Sequence, residues 1–180
     1  MSAPVADDDL RFPIGRPDRA PRLDPEARAR AIDAIEQTPA RFRQAIDGLT
    51  ETQLDTPYRP GGWSVRQVAH HVPDSHMQAY ARFKLALTEH EPTIKPYDEA
   101  AWAELADSRD VPVATSMALL EALHARWNAV LRAMQPDDFA RVLLHPENGR
   151  LTLDQMLSVY SWHGAHHVAH VTRLRERNGW

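Results

Sequence analysis

Four long stretches in which apolar residues recur at helical spacing constrain the fold most strongly. In the third stretch, for example, Leu120, Leu123 and Trp127 repeat every three or four residues, which places them on one face of a helix. Almost no segment has the alternating pattern of a strand. The predicted helices span residues 24–48, 64–87, 115–134 and 152–177. Because four such helices can bury their apolar faces only against one another, the sequence predicts an all-α fold, a four-helix bundle.

Local signals mark several helix ends and two irregular positions. Ser64 and Gln67 have the spacing of a capping box at the start of the second helix, and Gly179 follows the last helix. Pro39 and Pro73 lie inside predicted helices, where each removes a backbone hydrogen bond. We therefore expect Pro39 to kink or interrupt the first helix, and Pro73 to bend the second.

The segments outside the four helices are predicted to be loops with little regular structure. Exceptions are a short helix at residues 99–105 and a hairpin around Asn148 and Gly149. Residues 1–23 lack helical periodicity and contain several prolines. They predict an extended N-terminal arm that lies on the domain or on a neighbouring subunit, with a disordered tail as the alternative. Residues 24–180 form the single bundle domain.

Composition excludes several classes of protein. Hydrophobic residues make up 43% of the chain and charged residues 26%, the balance of a globular protein. The net charge of −4 opposes nucleic-acid binding, and no apolar run approaches the roughly 20 residues that cross a membrane. The acidic start, MSAPVADDDL, does not have the apolar stretch of a secretory signal. We expect a cytoplasmic protein.

The chain has no cysteine and ten histidines. It can therefore form neither a disulfide nor a thiolate metal site, and it brings no cysteine nucleophile. Four of the histidines lie within the eight residues from His163 to His170, on the last predicted helix.

This cluster has the spacing of metal ligands. At about 100° a residue, His167 falls about 40° from His163, in or beside the apolar face of the helix, while His166 and His170 fall toward its edge. Two histidines at i and i+4 can converge on one cation. Hydrogen-bonded core histidines are the alternative, and a metal site requires a third ligand from another helix.

The second helix offers three histidines as that third ligand. His70 projects nearly opposite the apolar face, so we expect it to be solvated. His71 lies roughly 90° from the centre of that face and His76 about 50° from it. Periodicity alone therefore leaves both His71 and His76 open.

The string GGWSVRQVAHHVPDSHMQAYARFK, followed by WHGAHHVAH, resembles the DinB/YfiT-like family. The stretches FPIG, LDTPYRPGGW, RFKLALTE, KPYDEAAWAEL and the terminal NGW resemble it as well, in the same order. Together they cover nearly the whole chain.

This resemblance implies a four-helix bundle, a homodimer and one divalent metal ion per chain, zinc or nickel, held by three histidines. One ligand follows the motif tryptophan Trp63 by eight residues, which is His71. The other two belong to the H-x-x-x-H of the last helix, which falls on His163 and His167. Members of the family are described as metal-dependent hydrolases, and related branches are thiol-dependent transferases that use bacillithiol, mycothiol or glutathione.

Three neutral imidazoles with open coordination positions are typical of a catalytic metal, which can activate a water or a thiol. We expect a metal-dependent enzyme acting on small molecules, with low-molecular-weight-thiol S-transfer to electrophiles preferred over hydrolysis. A non-catalytic metal-binding stress protein is the alternative from another class. We expect neither nucleic acid nor a membrane as a partner.

Other side chains can support such a site. Asp74 and Asp154 are candidates to orient the ligand histidines, and Arg66 and Arg82 to bind an anionic cosubstrate. An ordinary charge on a solvated surface is the favoured alternative for all four. His166 and His170 are expected either to play no part in metal binding or to contact the ligand histidines without binding the metal themselves. Four aromatic residues are candidates to line a pocket, although packing in the core is the favoured alternative for each: Trp63, Trp127, Tyr160 and Trp162.

Overall fold

The computed structural model describes residues 7–18 and 22–180, and it confirms the all-α four-helix bundle. In chain order its elements are α1 (Asp7–Arg11), α2 (Pro25–Ile46), α3 (Glu51–Leu54), α4 (Val65–Thr88), α5 (Glu99–Trp102), α6 (Ala106–Asp110), α7 (Val113–Ala133), β1 (Val142–His145), β2 (Gly149–Thr152) and α8 (Leu153–Asn178). The bundle consists of α2, α4, α7 and α8. Among the described residues, no helix combines the length and the apolar character needed to cross a membrane.

Each long helix packs against two others. Helix α2 contacts α7 and α8, and α4 contacts the same two helices from the other side. The core consists of two apolar clusters, one around Ile35, Phe83 and Trp127 and the other around Phe42 and Leu120. Burying these side chains is what holds the four helices together.

The predicted helix ends are confirmed by their caps. The Ser64 hydroxyl accepts a hydrogen bond from the Gln67 amide at 3.1 Å, and the Gln67 side chain accepts one from the Ser64 amide at 3.0 Å. Gly179 closes α8 in a left-handed conformation, with φ of 67°. Helices α2 and α4 continue through Pro39 and Pro73, both of which are buried. Interruption, one of the two outcomes expected at Pro39, is wrong, because the buried faces on both sides of the proline hold the helix together. A kink at Pro39 and a bend at Pro73 stay predictions.

The segments between the long helices are partly as predicted. The hairpin is confirmed, with β1 antiparallel to β2 and Gly149, the first residue of β2 after the turn, at φ of 71°. The short helix α5 forms within the predicted residues 99–105 but is shorter. Helix α6 was not predicted, since five residues are too few to show a helical period.

The described part of the N-terminal arm lies on α8 of its own domain. The Trp162 indole donates a hydrogen bond to the Gly15 carbonyl at 3.1 Å, and the Ser158 hydroxyl donates to the Asp18 carbonyl at 2.8 Å. Helix α1 forms where no helix was expected, because acidic residues at its start are favourable at a helix N-terminus. Residues 1–6 and 19–21 of the predicted arm lie outside the described residues.

The backbones of α2 and α8 approach closely at Gly164, the residue after His163. A Cβ atom at this position would lie 2.5 Å from Oγ1 of Thr38 and 2.7 Å from its Cγ2. Thr38 is buried on α2, so it has little room to move. Glycine therefore sets the distance between the two helices beside the histidine cluster.

We predict that Gly164→Ala lowers the free energy of unfolding by about 1–3 kcal/mol, because overpacking outweighs the better helix propensity of alanine. The measurement is urea denaturation followed by circular dichroism. Adding Thr38→Ala to this variant removes the clashing atoms and should recover part of the loss. Wild-type stability in Gly164→Ala alone would contradict this account of the contact.

Candidate metal centre

The structure brings His71, His163 and His167 together. Helix α4 presents His71 and helix α8 presents the other two. One ring nitrogen from each lies within 4.8 Å of the other two, and Nε2 of His71 lies 3.3 Å from Nε2 of His163. Two nitrogens that each lie about 2.0–2.1 Å from a tetrahedral zinc ion are about 3.4 Å apart. The donor set therefore fits a divalent cation.

Burial keeps these three rings uncharged. His71 and His167 are each 6% exposed, and His163 is partly buried. Desolvation lowers the pKa of His71 to about 4, with a smaller contribution from His170. Desolvation also lowers the pKa of His163 and of His167 far below the usual value, and the neighbouring histidines add to this. At neutral pH each ring has a lone pair to offer a metal.

The three rings form one wall of a cavity of about 470 Å³. Its other walls carry both charged and aromatic side chains, among them Arg11, Phe12, Arg59, Trp63, Glu99 and Trp162. Among the described residues, the cluster of possible ligands has three members. All three line the cavity, so a small molecule bound there would lie against them.

The aromatic residues named from the sequence divide between the cavity and the core. Trp63 packs against the ring of His71 at 4.6 Å between centroids, and Trp162 stacks on His166 at 4.1 Å. Both line the cavity, as predicted for pocket residues. Trp127 and Tyr160 are instead buried in the core.

Two further histidines support the predicted ligands. His76 Nε2 lies 3.0 Å from His163 Nδ1, and His170 Nδ1 lies 3.3 Å from His167 Nδ1. The sequence left His76 open as a ligand and predicted that His170 either plays no part in metal binding or contacts a ligand histidine. The structure makes both of them hydrogen-bonding neighbours of a ligand.

The prediction that His70 is solvated is wrong. It is 4% exposed, and its ring nitrogens lie 2.7 Å from the Ser116 hydroxyl and 3.1 Å from the Val111 carbonyl. Helix α6 packs on α4, and the start of α7 follows it. The groups that contact His70 lie more than 40 positions along the chain, and periodicity within α4 does not show which distant segment packs on that face.

The charged candidates have other roles in this structure. Asp154 accepts hydrogen bonds from the Arg28 guanidinium at 2.8 and 2.9 Å, which joins α8 to α2. Arg66 is paired with Asp55 at 2.7 Å, and the guanidinium of Arg82 donates to the Lys95 carbonyl at 3.3 Å.

Asp74 is partly buried on α4, and desolvation raises its pKa to about 6. Together with Asp154, Arg66 and Arg82, it stands outside the lining of the cavity. No predicted charged support therefore reaches the site.

Comparison with known sequences gives strong matches along the whole chain. The family model of the DinB superfamily matches residues 34–171. A protein of Bacillus subtilis (strain 168) named "Putative metal-dependent hydrolase YfiT" is 48% identical over 172 residues, which are 95% of this chain and 97% of the relative. A similarly named protein of Bacillus mycoides (strain KBAB4) is 50% identical over 172 residues, 96% of this chain and 99% of the relative.

Solved structures agree with the fold. That of YfiT from Bacillus subtilis, described as "a probable metal-dependent hydrolase with an unusual four-helix bundle topology", superposes with a TM-score of 0.93 at 47% identity. The match covers 96% of this chain and 99% of that one. TT2238, described as a four-helix bundle protein, superposes with a TM-score of 0.56 at 19% identity, over 78% of this chain and 94% of that one. The second match supports the fold alone.

The buried histidines predict how stability depends on pH in the metal-free protein. In the unfolded chain the histidines have a pKa near 6.5. In the folded chain burial lowers the pKa of His71 and of His124 to about 4, so the unfolded chain binds more protons between these values. Stability should therefore fall as the pH drops from about 7 toward 4, against a smaller opposite contribution from Asp74, whose pKa is raised.

The measurement is the urea midpoint of chelator-treated protein at about pH 7 and about pH 5. A midpoint that is equal or higher at the lower pH would show that the histidines are not buried as neutral rings.

Proposed function

This chain belongs to the DinB superfamily, and from that membership we propose that it is a metal-dependent hydrolase whose ion is held by His71, His163 and His167. The observation that carries the proposal is the convergence of three uncharged imidazoles, two of them buried and one partly buried, on the wall of a cavity. Three protein ligands leave open the coordination positions that a catalytic metal needs. Zinc and nickel are the ions that we expect.

The cavity supplies the other parts of such a site. A divalent ion in this position would lower the pKa of water and so supply a nucleophile at neutral pH. Glu99 is the only carboxylate among the described residues that line the cavity, and desolvation raises its pKa, so it is suited to accept a proton. His166 Nδ1 is buried without a hydrogen-bond partner among the described residues, and can bind a polar group of the substrate.

Charged groups at the cavity favour a strongly polar substrate. Arg11 and Arg59 line it beside Glu99. Trp63, which packs on the ligand His71, and Trp162, which stacks on His166, add flat apolar surface to the cavity. We propose this combination, cationic groups beside aromatic faces, as the basis of substrate binding.

Thiol S-transfer, which the sequence analysis ranked first, stays a prediction. It would use the same ligands and cavity with a thiol as the nucleophile. The names of the relatives favour hydrolysis, so we rank hydrolysis first. A purely structural metal site would need no cavity at its ligands, which makes the non-catalytic alternative the weaker one.

We predict that His71→Ala and His163→Ala each weaken zinc binding by roughly 100-fold or more, since loss of a ligand exceeds the 10–100-fold effect of its supporting groups. The measurement is elemental analysis after zinc loading and dialysis, beside chelator competition. His90→Ala, at an exposed histidine outside the cluster, is the matched control and should bind zinc like wild type. Full zinc retention by both ligand variants would overturn the site.

We also predict that the zinc-loaded protein hydrolyses p-nitrophenyl esters and loses this activity with chelator. Glu99→Gln should lower turnover by about 100-fold without loss of zinc, because the proton acceptor is removed. Glu89→Gln, an exposed carboxylate at the end of α4, is the control. No hydrolysis, together with metal-dependent conjugation of monochlorobimane to a low-molecular-weight thiol, would transfer the assignment to thiol S-transfer.

A further inference from the structure

A chain of hydrogen-bonded rings leads from His163 into the core. His163 Nδ1 lies 3.0 Å from His76 Nε2, and His76 Nδ1 lies 2.8 Å from His124 Nε2. His124 Nδ1 lies 2.7 Å from the carbonyl oxygen of Ile35, where the chain ends. His76 is fully buried and His124 is 1% exposed. The four groups come from α8, α4, α7 and α2, so the chain crosses the whole bundle.

The carbonyl at the end fixes the direction of every bond in this chain. A carbonyl can only accept, so His124 carries its proton on Nδ1 and donates it to Ile35. A neutral imidazole has one donor and one acceptor, so His124 Nε2 accepts from His76 Nδ1 and His76 Nε2 accepts from His163 Nδ1. His163 is left with its lone pair on Nε2, the atom that lies 3.3 Å from His71 Nε2.

Pro39 explains why a carbonyl inside a helix is free to do this. In α2 the Ile35 carbonyl would normally accept from the amide of the residue four positions later, which is Pro39. Proline has no N–H, so this oxygen lacks its usual helical donor and accepts from His124 instead.

A second, shorter series of hydrogen bonds fixes the tautomer of His167 in the same way. His170 Nε2 lies 3.1 Å from the carbonyl of Arg11 in the N-terminal arm, so His170 donates there. Its Nδ1 then accepts from His167 Nδ1 at 3.3 Å, which leaves the lone pair of His167 on Nε2. Both ligands from α8 are therefore oriented to bind through Nε2.

We propose that His76 and His124 are positioning residues that hold His163 in its metal-binding tautomer, with the Ile35 carbonyl released by Pro39 as the fixed end of the chain. His170 and the Arg11 carbonyl do the same for His167. This inference rests on the proposed metal site. Desolvation supports it, because it lowers the pKa of His76 well below the usual range and that of His124 to about 4, so both rings are neutral at pH 7.

The direct test is the tautomer of each ring in the metal-free protein, read from long-range ¹H–¹⁵N correlations of ¹⁵N-histidine-labelled samples. We expect the Nδ1–H form for His163, His76 and His124. Free histidine in water favours the Nε2–H form, so the expected pattern is opposite to the default. Observation of His163 as Nε2–H in wild type would overturn the proposal.

Variants at His76 separate a positioning role from a packing role. His76→Leu fills the site but accepts no hydrogen bond, so His163 should move toward the Nε2–H form and zinc affinity should fall about 10–100-fold. His76→Gln keeps an acceptor near the same place and should retain zinc affinity within about threefold of wild type. Equal zinc binding and an unchanged His163 tautomer in His76→Leu would overturn the proposal.

The two proposals fail in different ways. If wild type binds no zinc, the proposed function fails, and the tautomer spectra still decide this inference. If His76→Leu does not fold by circular dichroism, His124→Leu replaces it, since it removes the acceptor of His76 one ring further from the ligand. The His163 spectrum of that variant should shift in the same direction, and an unchanged spectrum would again overturn the proposal.

Discussion

Burying uncharged imidazoles inside a helical bundle is the constraint on which the rest of the structure depends. A buried ring nitrogen without a partner costs free energy, so each ring must find a donor or an acceptor. In this protein most partners are other rings, backbone carbonyls such as those of Ile35 and Val111, or the Ser116 hydroxyl. His166 Nδ1 is the exception among the buried imidazole nitrogens of the described residues. The bundle is therefore held in register by polar contacts as well as by its two apolar clusters. Such hydrogen-bond networks favour one arrangement of the helices over alternative packings.

Helix packing and the proposed chemistry use the same interfaces. The contact at Gly164 brings α8 against α2 directly beside His163. One turn of α2 includes both Thr38, which fits against that glycine, and Pro39, whose missing N–H leaves a carbonyl for His124. Pro39, which the sequence predicts to disturb α2, thus makes a backbone carbonyl available to the polar network of the core.

The sequence predicted those features that depend on neighbours close along the chain. Capping at Ser64 and the placement of His163 and His167 on one face follow from local spacing. His71 needed the resemblance to a family, since no periodicity relates it to a residue 92 positions away. The error at His70 has the same origin, because its partners Val111 and Ser116 are distant in sequence and no periodicity relates them to α4.

The contact between His170 and the Arg11 carbonyl has a thermodynamic consequence for the arm. His170 contacts both the arm and the proposed ligand His167, so docking of the arm and binding of the ion are coupled. If docking of the arm raises the affinity for the ion by some factor, binding of the ion raises the equilibrium constant for docking by the same factor. Residues 7–18 would then be protected against proteases in proportion to the free metal concentration. The protease resistance of the arm would therefore show whether a metal ion occupies the site beside it.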